Sequence, residues 1–159
     1  MTLTLRPEDF YHTGIVVPDL DAAMARLSAL AGYTWITPMS YRLPLRTAGG
    51  TRELASTFVY SLQSPHLELI REVPGSPWTA PPGNAVHHLG YFTDDLAAAA
   101  RTLEDNGFAL EATADFAPPG LALFAYYVDA SGTRIEIVDR SLFPDFPAFL
   151  RSAAPSARD

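Results

Sequence analysis

An α+β fold built from two tandem βαβββ modules that form a cupped mixed sheet is what this sequence predicts, on three observations. First, a stretch of the N-terminal half recurs in the C-terminal half. Tyr11-His12-Thr13-Gly14-Ile15-Val16-Val17-Pro18-Asp19-Leu20 overlays His87-His88-Leu89-Gly90-Tyr91-Phe92-Thr93-Asp94-Asp95-Leu96 without a gap. Second, each copy runs on into an alanine-rich helical stretch and then into extended segments rich in aromatic and aliphatic residues. Third, the copies close alike, Pro65-His66-Leu67-Glu68-Leu69-Ile70 resembling Thr133-Arg134-Ile135-Glu136-Ile137-Val138 around a single embedded glutamate.

Taken in order, the opening strands begin at Tyr11 and His87 and the helices span roughly 20–31 and 95–106. Asp19 and Asp94 are the expected N-caps, because a short acidic side chain can accept a hydrogen bond from the first free amides of a helix; Gly32 and Gly107 are the expected stops. Residues 54–62 and 121–129 then suit strands. From histidine to glutamate the chain runs 56 residues in the first copy and 48 in the second, and the eight extra residues are assigned to a surface loop in the polar, glycine-bearing stretch 46–52. One domain over 1–159 is expected: module one about 10–73, a proline- and glycine-rich linker about 74–84, module two about 85–140, and a C-terminal docking segment and tail over 141–159. Residues 142–150 are expected to pack on the body and 152–159 to fray.

Bulk properties narrow the chemistry. A chain of 159 residues with 48% hydrophobic composition can bury a core of its own. Neither an export signal nor an apolar run of membrane-spanning length is read, so a cytoplasmic protein is expected, with no membrane partner. A net charge of −7, with only three arginines in the one basic stretch, 42–52, argues against nucleic acid. The absence of cysteine removes thiolate ligands and thiol nucleophiles, leaving His, Asp and Glu to carry any metal or proton chemistry.

Side chains alternate along a strand, so His12 shares a face with Gly14 and Val16, and His88 with Gly90 and Phe92. Glu68 and Glu136 sit at matched places inside apolar strands, where an ionised carboxylate needs a compensating positive charge. A divalent cation held by His12, Glu68, His88 and Glu136 meets that need: two neutral imidazoles and two carboxylates balance a 2+ charge. Taken singly, each histidine would more ordinarily be a core or surface residue and each glutamate a solvated strand residue; the repeat makes the four a set. His87 points away from His88 and is given a structural or surface role. His66 shares the face of Glu68 but matches Arg134 in the repeat, so a role lining the pocket, or none, is expected before contact with the metal, and Arg134 reads as an ion-pair partner before a substrate anchor. Phe58, Tyr60, Phe124, Tyr126 and Trp78 suit either core or pocket wall.

The segments YHTGIVVPDLDAA, HLELI, HHLGYFTDDLAAA and GTRIEIVD resemble the glyoxalase, bleomycin-resistance and extradiol dioxygenase superfamily, the vicinal oxygen chelate proteins, across about residues 10–140. Among its members the chain is most similar to methylmalonyl-CoA epimerase-like and glyoxalase I-like proteins. The resemblance implies ligands from the first and last strands of each module, which are again His12, Glu68, His88 and Glu136. The set of two histidines and two glutamates resembles bacterial glyoxalase I; the epimerases commonly carry glutamine at the place of Glu68. It further implies a divalent ion (Zn, Ni, Co, Mn, Mg or Fe), a small-molecule substrate, a homodimer, and an epimerase, isomerase or lyase that abstracts a proton next to a carbonyl of a small carbonyl compound or acyl thioester. Glu136 is the expected ligand that also moves the proton, by analogy with glyoxalase I, and Glu53 is a looser match to the separate base of the epimerases. The alternatives are a resistance protein that binds an antibiotic or aromatic ligand, and an extradiol-type dioxygenase using iron.

Overall fold

The computed structural model describes residues 4–80 and 86–157. Its elements run β1 (Phe10–Val17), α1 (Leu20–Ala31), β2 (Met39–Thr47), β3 (Gly50–Tyr60), β4 (Leu67–Arg71), β5 (His88–Thr93), α2 (Leu96–Asp105), β6 (Ala109–Ala114), β7 (Ala122–Val128), β8 (Arg134–Asp139) and α3 (Phe146–Ala153). That is βαβββ twice over, the α+β order the repeat predicts. Of the expected linker, 81–84 lies outside the described residues, as does the tail end, 158–159.

The chain divides into two compact units, one of Met1–Tyr11, Arg42–Ala55 and His88–Pro144, the other of His12–Tyr41, Ser56–His87 and Asp145–Asp159. In the second unit β1 runs parallel to β4, and β4 antiparallel to β3, with Val59 opposite Leu69 and Tyr60 opposite Glu68. Helix α1 lies against β4 and buries Leu20 and Ala23. In the first unit β5 runs parallel to β8, which pairs antiparallel with β7, and β7 with β6. Helix α2 covers one face there. Ala99, Ala100 and Leu103 pack on Ala125, Tyr127 and Ile137, the small alanines letting the helix approach closely. The Tyr127 hydroxyl donates to Glu104 of α2 at 3.1 Å, and burial, with that carboxylate second, pushes its pKa up to about 12. Alternation along β7 and β8 sends Phe124, Tyr126 and Glu136 to the other face.

Several local expectations need correction. Asp19 caps α1 as expected, accepting from Ala22 N–H at 2.9 Å, and Gly32 ends the helix with φ 76. The second cap is Asp95, not Asp94: its carboxylate accepts from Ala98 N–H at 2.9 Å, while Asp94 is drawn off into an ion pair with Arg140. The eight extra residues of the first module do not form a surface loop. β2 and β3 are longer strands than β6 and β7, but their tight turn at 48–49 is shorter than the 115–121 connection, so the hairpin adds only two residues; six come from the longer α1 and the longer segment 32–38 that follows it. Residues 142–150 pack through a helix that sequence reading missed. α3 begins behind the cap Asp145, buries Phe146 and Leu150, and extends to Ala153, into the stretch expected to fray.

A buried carboxylate ties the start of the first unit to its end. Asp9 accepts from Arg6 at 3.1 Å and from Arg140 at 2.6 Å, and Arg140 also donates to Asp94 at 2.8 Å. The Arg6 hydrogen bond, assisted by Arg140 and opposed by burial, holds the Asp9 carboxyl below the ordinary carboxylate range. A lowered folded-state pKa stabilises above the unfolded value of about 4, and the contribution is lost as pH falls through the folded value. Asp9→Asn should therefore cost about 1–3 kcal/mol near pH 7. In urea unfolding the gap to the unaltered protein should shrink below about pH 4. A gap unchanged by acid would contradict this account.

Candidate metal centre

In the second unit parallel pairing sets Gly14 of β1 beside Glu68 of β4, and His12 lies two residues earlier on the same face. The His12 Nε2 and Glu68 Oε2 atoms are 3.0 Å apart. Tyr60, directly across from Glu68 on β3, sets its ring edge-on to the imidazole, with centroids 5.6 Å apart.

The first unit repeats this arrangement. Gly90 pairs with Glu136, His88 Nε2 stands 3.1 Å from Glu136 Oε2, and Tyr126 lies opposite Glu136 with its ring centroid 5.1 Å from that of His88. Exposure matches as well: both histidines are 1% exposed and both glutamates 7%. Two donor atoms about 3 Å apart suit a hydrogen bond from a protonated imidazole nitrogen. They equally suit neighbouring ligands on one ion, since bonds of about 2.0–2.2 Å at right angles put the donor atoms about 3 Å apart. The donor types of each pair, one buried imidazole and one buried carboxylate, fit a divalent cation.

The other candidates fall outside these two pairs. His87 is buried; its Nε2–H donates to the Pro77 carbonyl at 2.6 Å and its backbone N–H to the Gly14 carbonyl at 2.7 Å, so it anchors the segment that follows β4. His66 donates from Nδ1 to the Ser61 carbonyl at 3.0 Å and packs edge-on against Phe146. Arg134 grips Glu111 with two nitrogens at 3.0 and 2.8 Å. Glu53 is exposed on β3 in an ion pair with Arg42 at 2.9 Å. Trp78 is buried, and so are Phe58 and Phe124. What sequence reasoning left undecided, core or wall, was the role of the aromatic pairs. The signal was there: Phe58-Val59-Tyr60 and Phe124-Ala125-Tyr126 repeat the spacing Phe-x-Tyr on the strand next to each glutamate.

A duplicated βαβββ chain with a buried histidine and glutamate contributed by the first and last strands of each module defines the class of protein. Residues 11–127 match the Glyoxalase/Bleomycin resistance protein/Dioxygenase superfamily, and the chain belongs to it. The match takes in His12, Glu68 and His88 and stops short of Glu136. Among solved structures the chain is similar to methylmalonyl-CoA epimerase from Mycobacterium tuberculosis, with 21% identity, 87% of this chain and 92% of that one covered, and a TM-score of 0.54. It is also similar to a Streptomyces coelicolor methylmalonyl-CoA epimerase variant in complex with 2-nitronate-propionyl-CoA, at 21% identity, 87% and 98% coverage and a TM-score of 0.54. A methylmalonyl-CoA epimerase in complex with methylmalonyl-CoA and NH4+ stands at 20% identity, 87% and 95% coverage and 0.55. These likenesses establish the fold. No curated protein matches the chain. Among the described residues no helix is long and apolar enough to cross a membrane.

His87 and His88 are adjacent but separable. His87→Ala should lower stability by about 1–3 kcal/mol through loss of the buried bond to Pro77, read as a lower midpoint of urea unfolding. An unchanged midpoint would show that His87 anchors nothing.

Proposed function

We propose that the chain is a metal-dependent epimerase, isomerase or lyase that moves a proton next to a carbonyl, using one divalent ion held by His12, Glu68, His88 and Glu136. The observation that carries this reading is the pair of buried, repeat-equivalent His–Glu contacts at 3.0 and 3.1 Å. Two ionised carboxylates buried in apolar strands call for a cation, and four protein ligands leave room in an octahedral shell for substrate oxygens. When bound, the ion supplies Lewis-acid stabilisation of the negative charge that develops on a substrate carbonyl oxygen. The chain does the rest. The two imidazoles and Glu68 hold position, Tyr60 and Tyr126 wall the histidines, and the Glu136 carboxylate accepts the proton from the carbon beside the carbonyl and later returns it. Glu53, exposed and paired with Arg42, is a poor base for such a step. The likeness to methylmalonyl-CoA epimerases supports small carbonyl compounds and acyl thioesters as the first compounds to try.

Protein prepared without chelators should carry one divalent ion per chain, and Glu68→Ala or Glu136→Ala should weaken its binding by more than about tenfold; unchanged affinity in both variants would refute the shared site. With metal-loaded protein, α-carbonyl compounds and acyl-CoA thioesters should be screened for uptake of solvent deuterium beside the carbonyl. Glu136→Gln should slow that exchange by about 10² to 10⁴-fold, while Glu53→Gln stays near the unaltered rate. The reverse pattern would move the base to Glu53, and a protein that only binds its ligand would exchange nothing. A homodimer is also inferred, on the resemblance to families that pair subunits around their sites. Light scattering should give twice the 17.3 kDa chain mass, and a monomer mass at all concentrations would contradict it.

A further inference from the structure

Strand β7 carries a bulge near its start, three residues before Tyr126, which lies opposite Glu136. Leu123 has φ 62, and it is the one non-glycine residue among those described with a positive φ. A left-handed conformation is sterically disfavoured for leucine, so the surrounding structure must hold it there. On the β6 side the ladder slips: Ala114 pairs with Ala122 but Thr113 with Ala125, leaving Leu123 and Phe124 as a bulge. The fully buried Thr113 clamps that bulge. Its hydroxyl donates to the Phe124 carbonyl at 2.8 Å and accepts from the Ala122 N–H at 3.4 Å, bracketing Leu123. On the other edge β7 keeps register with β8, Phe124 opposite Val138 and Tyr126 opposite Glu136. The irregularity is thus absorbed against β6, and the Phe124 ring stays on the face of Glu136, its centroid 5.6 Å from that of Tyr126.

His88 and Tyr126 are 1% and 2% exposed, whereas Glu136 and Phe124 keep 7% and 8%. Phe124 shares the face of Glu136, two residues along β7 from Tyr126, the residue opposite that carboxylate. We propose that the Leu123–Phe124 bulge, clamped by Thr113, selects the substrate: it holds Phe124 as an apolar wall for a substituent next to the reacting carbon, favouring carbonyl compounds that carry an aryl or branched alkyl group there. This rests on the proposed metal site, with Glu136 as ligand and base.

The test uses the full chain loaded with Co(II) and two vicinal-oxygen chelators, acetohydroxamate and benzohydroxamate, which differ by methyl against phenyl. Binding is read from the visible Co(II) absorption and normalised to each compound's affinity for aqueous Co(II). Benzohydroxamate should bind at least about tenfold tighter, equivalent to about 1.4 kcal/mol. The preference should drop below about threefold in Phe124→Ala and partway in Thr113→Val, a near-isosteric change, with Co(II) uptake unaltered in both. Equal affinities in the unaltered protein, or an undiminished preference in Phe124→Ala, would overturn the apolar wall alone. Failure to take up Co(II) at all would overturn the metal site and this inference with it.

Discussion

Two carboxylates buried in apolar strands are the constraint from which the rest of the structure can be reasoned. Glu68 sits between Leu67 and Leu69, and Glu136 between Ile135 and Ile137, each almost closed off from solvent. An ionised carboxylate in such a place needs a partner on a neighbouring strand. In each module that partner is the histidine near the start, more than 45 residues away in sequence, brought adjacent by parallel pairing of the first and last strands. Parallel neighbours cannot be joined by a tight turn, so a crossover is obligatory, and the helix with the two strands between supplies it. The helix then finds its place by burying the opposite face, where Leu69 and Val59 in one unit and Ala125 and Ile137 in the other are fully covered.

The same alternation explains how much could be read from sequence. The residues of the His–Glu pairs were conspicuous because a charged residue inside an apolar strand stands out, and its recurrence at matched places in a repeat weighs against an ordinary solvated strand residue. Helix α1 was legible to the residue because Asp19 and Gly32 mark both ends by local chemistry. The second N-cap was misplaced because Asp94 and Asp95 are chemically equal, and only the distant Arg140 decides which one is free to cap. β2 went unplaced and its turn into β3 was read as a loop: Met39, Tyr41, Leu43 and Leu45 do alternate, but Pro44 interrupts the run, and Arg42, Arg46, Arg52 and two glycines read as a polar turn region. α3 was hidden by Pro144 and Pro147, although proline in the first helical turn is compatible with a helix. The bulge at Leu123 has no local signature; no glycine announces its positive φ, and it depends on Thr113 ten residues away.

Family membership fixes less than the donor set does. A common fold can host several reactions, so the functional argument has to come from the site. In the proposed site two imidazoles and two carboxylates would balance the charge of a divalent ion, and one carboxylate would serve both as ligand and as proton carrier. Beside each histidine stands a tyrosine, Tyr60 and Tyr126, itself packed on the phenylalanine two residues earlier, Phe58 and Phe124. Glu53 has none of these surroundings.

The central claim is that the two His–Glu pairs serve one ion. X-ray absorption on the zinc- or cobalt-loaded protein tests it most directly, because imidazole rings give outer-shell scattering that carboxylates and water do not. The account expects a nitrogen and oxygen shell at about 2.0–2.2 Å containing two imidazoles, falling to one in either His12→Ala or His88→Ala. A shell holding a single imidazole in the unaltered protein, or none, would contradict it.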